Sequence, residues 1–188
     1  MLDITTLKKN STSPPENVTC FGTKEDYNAL SKEFKDQIWF LDSNSSKFII
    51  DFLDSTKMIS SSIAFDENWP FPKGYFKHVE HTYDSTNRQE IKKWLFNRGI
   101  PFQKEVFIVS YFNDEVVLTT WKMVIKNDLF YPDDIIIFDS SIDWCLYYYH
   151  DGNLYFGSEN IYNIEQDYKK MEELNIIKKK YPNINFPF

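Results

Sequence analysis

The chain has 188 residues, a formal net charge of −7, 42% hydrophobic residues and 18% aromatics, which predicts one folded domain and excludes a disordered polymer. Five glycines leave little for Gly-rich phosphate loops, and no run of about 18 apolar residues is present to span a membrane. No apolar stretch follows Met1, so no secretory signal is read; the predicted address is the cytoplasm, with Cys20 and Cys145 as reduced thiols.

In chain order, residues 1–22 with Pro14-Pro15 read as a weakly ordered leader, and residues 23–188 as a single α+β domain. Thr23 is placed to cap a short helix whose stripe is Tyr27, Leu30 and Phe34. A short strand follows at Ile38–Leu41, and Asp42-Ser43-Asn44-Ser45 precedes an amphipathic helix carrying Ile49 and Leu53. Residues 55–83 read as a long irregular segment, because Pro70 and Pro72 exclude a central strand or helix there. A helix over 86–98 carries Ile91, Trp94 and Leu95; Thr86 with Gln89 fits a capping box, and Gly99 with Pro101 stops it.

The β-rich part follows. Val106–Phe112 and Val116–Thr120 predict a hairpin around Asn113-Asp114, Trp121–Phe130 fits either strand or short helix, and Ile135–Phe138 predicts a strand. Trp144–Tyr149 and Leu154–Phe156 flank Asp151-Gly152, a type I′ hairpin signal. Ile161, Ile164, Tyr168, Met171 and Leu174 recur at helical spacing, predicting a last helix across the sheet that ends near Lys178–Lys180. The fold expected from this pattern is an antiparallel sheet of about four to six strands drawn from residues 104–157, with helices packed on it.

Charge is distributed unevenly. Asn127–Tyr168 contains no Lys or Arg but has nine carboxylates and eleven aromatics. Such a stretch repels a phosphate backbone, so nucleic acid is not a predicted partner, and it attracts a basic protein surface. Within it, Trp144–Tyr149 is the most informative segment. Alternation puts Cys145, Tyr147 and Tyr149 on one face and Trp144, Leu146 and Tyr148 on the other. Two accounts stand: a central strand covered on both faces, or a strand that presents tyrosines within a rim of Asp.

Motifs of chemistry are absent. His78-x-x-His81 has no third ligand at a metal-site spacing and reads as a surface pair. Cys145 and His150 are five positions apart, on opposite faces of a strand, which does not make a nucleophile–base pair. The aspartates at 133, 134, 139 and 143 lack an Asp-x-Asp-x-Asp-Gly loop. No catalytic residue, cofactor or metal ligand is assigned.

A set of landmarks remains: Asn68-Trp69-Pro70, Thr119-Thr120-Trp121, Asp128–Asp134, Trp144, His150-Asp151-Gly152 and Tyr155-Phe156-Gly157. Over residues 66–157 this pattern resembles small bacterial α+β domains that include immunity proteins encoded beside polymorphic or contact-dependent toxins. The resemblance implies a non-catalytic protein that neutralises a cognate toxin, such as a basic nuclease, in a tight complex. The residues nominated for that partner are Asp133, Asp134, Asp139, Asp143, Tyr147, Tyr149 and Asp151. The alternatives are a non-catalytic interaction domain of another kind, or an enzyme whose site is assembled from His78, His81 and Asp133.

Overall fold

A computed structural model describes residues 3–15, 24–60, 70–83, 87–110, 114–127 and 134–159, and individually 169, 172, 173, 175–177 and 179–181. These residues form an α+β fold around one antiparallel sheet of eight strands in the order β1-β2-β5-β4-β6-β7-β8-β3. The strands are β1 (Ser11–Thr12), β2 (Trp39–Leu41), β3 (His78–Tyr83), β4 (Glu105–Ser110), β5 (Glu115–Thr120), β6 (Ile135–Phe138), β7 (Trp144–Tyr148) and β8 (Asn153–Ser158). The helices are α1 (Ile4–Lys9), α2 (Lys24–Ala29), α3 (Lys32–Lys35), α4 (Ser43–Thr56), α5 (Arg88–Phe96) and α6 (Trp121–Asn127).

The sheet is larger than the four to six strands predicted, because β1, β2 and β3 join it from outside residues 104–157. In β3 every residue is exposed or half-buried, so it lacks the apolar alternation that marks a strand, and it lies inside the segment read as irregular. Residues 3–15, read as part of a weakly ordered leader, form α1 and the edge strand β1, with Asp3 accepting from the Thr6 amide at 3.2 Å as the helix cap. Thr23, Cys20, the Thr86 cap and the stripe from Ile161 to Leu174 lie outside the described residues. The first predicted helix is split at Leu30-Ser31 into α2 and α3, and Trp121–Asn127 is helical.

Both faces of the central strands are covered, and strand alternation sorts the core into two layers. One layer joins Val106, Ile108, Ile135, Ile137, Trp144, Leu146 and Phe156 to Tyr27 of α2, Ile91 and Leu95 of α5, and Trp121 and Val124 of α6. The other joins Phe107, Val109, Ile136, Phe138, Cys145 and Tyr147 to Leu7 of α1, Ile49 and Leu53 of α4, and Met58, Phe71 and Phe76. The central strands read as continuous apolar runs because neither of their faces meets water. Asp42 begins α4 by accepting from the Ser45 amide at 2.7 Å, which holds its carboxyl below the usual carboxylate range.

The β7–β8 connection differs from the predicted type I′ turn. Gly152 alone carries a positive φ, of 93°; its amide donates to Tyr149 O at 2.8 Å, and the Tyr149 amide donates to Asn153 O at 2.8 Å. This is a three-residue hairpin loop closed by a left-handed glycine, so the extra residue His150 projects from the sheet end.

Candidate functional site

Because every neighbouring pair of strands is antiparallel, the sheet has two ends with different chemistry. At one end lie the start of β5, β6 and β8 and the finish of β2, β3, β4 and β7, since Ser110 pairs with Glu115 and Ile135, and Ile135 with Tyr148. The charged residues flanking β2 to β8 there are Asp42, Asp114, Glu115, Asp134 and Asp151, and Lys9 lies two residues before β1, which starts at the same end. Asp114 and Asp151 are exposed, and Asp42, Glu115 and Asp134 are half-buried.

The opposite end is mixed. Lys104 reaches Asp139 at 3.2 Å, Lys77 reaches Glu159 at 2.9 Å, and Lys8 pairs with Glu105. Positive and negative charge therefore pair locally at this end, whereas carboxylates outnumber cations along the described strand flanks of the first.

The carboxylates of the first end are held by the turns they belong to. Asp134 Oδ1 accepts from the His150 amide at 2.9 Å and lies 2.8 Å from its Nδ1. Asp151 accepts from the Asn153 amide at 3.1 Å and from its side-chain Nδ2 at 2.7 Å. Asp114 holds the β4–β5 turn with a left-handed φ of 51°, a conformation that Asp and Asn tolerate better than most residues. Charges fixed in this way need little ordering when a partner arrives.

Aromatic rings lie beside them. Tyr149 stands 4.1 Å from the His150 ring and is stacked with Tyr147 at 6.5 Å. In register across β7, β8 and β3 come Tyr147, Tyr155 and His81, the last stacked on Tyr155 at 4.7 Å. Burial, then the nearby charge of Asp151 and the Tyr149 phenol, pushes the Tyr155 phenol up. Beside β2 and β5 the same end opens into a cavity of about 700 Å³, with Phe40, Ile50 and Val116 among its apolar walls, Asp42, Asp114 and Glu115 among its acidic ones and Lys47 as its cation.

The nominated residues are thus divided. Asp134, Tyr149 and Asp151 stand at the acidic end. Asp143 is exposed but belongs to the mixed end, roughly 16 Å away along the five-residue step from 134 to 139 at about 3.3 Å per residue. Asp139 does not reach solvent as predicted: it is 1% exposed and accepts from Trp144 Nε1 at 2.8 Å and the Ser141 amide at 2.6 Å. Tyr147 is 8% exposed, buried by its place in a strand covered on both faces. Asp133 lies outside the described residues. Asp42, Asp114 and Glu115 were missed, because only the strand order places them beside Asp134.

The other constellations resolve simply. His78 and His81 lie in β3, where positions three apart fall on opposite faces, so the imidazoles do not converge. Cys145 is fully buried, and burial pushes its thiol well above the ordinary cysteine range, which keeps it protonated and inert. Among the described residues no group of three His, Cys, Asp or Glu side chains converges on a metal position. Chelation with EDTA is accordingly expected to leave the melting temperature unchanged; a fall of several degrees, reversed by zinc, would show a structural metal. No described helix is long and apolar enough to cross a membrane.

No protein-family model and no curated protein matches the chain.

Proposed function

We propose that this protein is a non-catalytic binding protein that captures a cognate bacterial toxin with a basic surface and neutralises it by forming a stoichiometric complex. The observation that carries the reading is the acidic end of the sheet, where Asp42, Asp114, Glu115, Asp134 and Asp151 outnumber the two described lysines near them, Lys9 and Lys47. A concentrated field of one sign steers an oppositely charged protein and raises its association rate, and tyrosines within such a rim supply contact area at low entropic cost. The toxin class comes from the resemblance of residues 66–157; the acidic end supports the charge of the partner.

The test is association kinetics against the product of a neighbouring toxin gene at two salt concentrations. Reversing Asp114→Lys, Asp134→Lys and Asp151→Lys together is expected to slow association by about tenfold at low salt and to flatten its salt dependence. Three reversals at Glu25, Asp26 and Glu33 of α2 and α3 serve as the control. An unchanged on-rate in the first variant with a lost one in the control would place the interface on the helices instead.

A further inference from the structure

The two edges of the sheet are unequal. One ends in β1, a strand of two residues, whereas the other ends in β3, six residues paired without a bulge to β8 from His78↔Ser158 to Tyr83↔Asn153. Among the described residues no strand pairs with the outer side of β3. That strand has no Pro, Gly or Lys, and it shows Val79 at 40% and Tyr83 at 58% exposure. Monomeric proteins protect such an edge with charge, proline, bulges or short length, and β3 uses little of that repertoire.

We infer that a second copy of the chain covers this edge, β3 pairing with β3 about a two-fold axis at His81. An axis perpendicular to a continuous antiparallel sheet keeps each face on its own side, so even positions meet even positions and odd meet odd. An axis at Glu80 would set two carboxylates directly opposite each other. An axis at His81 instead sets Val79 opposite Tyr83 of the second copy, an aliphatic–aromatic cross-strand pair, and Glu80 opposite Thr82. Glu80 brings no uncompensated charge, because Arg98, itself 8% exposed, pairs with it at 2.6 Å within one copy. His81 bonds Asn153 at 2.5 Å and stacks on Tyr155, so its ring leans toward β8 and leaves the outer edge clear.

A six-residue edge is a small contact, so the dimer is expected to have a dissociation constant on the order of 10 µM.

Sedimentation of the full chain from about 2 to 200 µM is expected to show the mass rising from one chain of 22.5 kDa toward twice that value. Val79→Lys with Tyr83→Lys is expected to weaken the dimer by at least about tenfold, with circular dichroism and melting unchanged because both side chains are exposed. His81→Cys tests the register directly: it should cross-link to a covalent dimer under mild oxidation, whereas Val79→Cys alone and the parent chain should not. A monomer throughout that range, together with no cross-link from His81→Cys, would overturn the proposal. Efficient cross-linking through Val79→Cys alone would overturn the His81 axis.

Discussion

Replacing Trp144 with alanine is expected to lower the unfolding free energy by about 4 kcal/mol, the usual range for emptying a large aromatic site being about 3–5 kcal/mol. Trp144 is 2% exposed, meets Trp121 edge-on at 5.3 Å and stacks on Phe156 at 5.8 Å. Its indole N–H also donates to the buried Asp139 carboxylate at 2.8 Å, so truncation both opens a cavity and removes a donor from a desolvated charge. Trp144→Phe separates the two effects: it refills most of the space while leaving Asp139 with Lys104 and the Ser141 amide. Urea titration of the three proteins measures this. A loss below about 1 kcal/mol for the alanine variant would show that the site repacks around the gap.

Gly157→Ala is the second large expected effect, a loss of about 2–3 kcal/mol, at the upper part of the usual overpacking range. The Phe76 ring occupies the place where a Cβ on Gly157 would stand; even its Cγ would lie only 2.8 Å away. The ring cannot swing aside freely. Phe71 and Tyr75 each hold it edge-on at 4.9 Å, and it is itself 6% exposed. Either the ring leaves its pocket or β8 shifts, and β8 is bonded to both β7 and β3. Phe76→Leu in the alanine background should recover part of the loss, and the double-mutant cycle checks it: strict additivity would show that the two groups do not collide.

Sequence reasoning found β2 and β4 to β8, most clearly where a strand is buried on both faces. β4, β6 and β7 are apolar along their length and bounded by turn residues, so period and punctuation agree. β3 escaped because its register comes from β8, far along the chain, and nothing in His78–Tyr83 itself alternates between apolar and polar. The alternation of Trp144–Tyr149 was legible and assigns its residues to the two faces as read. Which account of that strand applies was not legible, since it depends on which helices cover each face. The acidic end was half legible: the Lys/Arg-free stretch points to Asp134 and Asp151, but Asp42, Asp114 and Glu115 join them only through the strand order. Asp139 shows the opposite failure. A turn position implies solvent, yet here the carboxylate folds inward to serve a buried indole and the loop's own amide.

The strand order also sets how the chain must close its loops as it folds. The middle of the sheet is assembled from neighbours in sequence, β4 with β5, β6 with β7 and β7 with β8. Each flank is instead recruited from a distance: His81 meets Asn153 across 72 residues, and Thr119 meets Gln37 across 82. Closing a long loop costs conformational entropy before its contacts form, so the local hairpins provide the template on which both flanks condense. Among the described residues β3 is attached to the sheet through β8 alone, so its residence there depends on that hairpin already being in place. Zipping is therefore expected to proceed outward from the centre, with β3 among the last strands to be added.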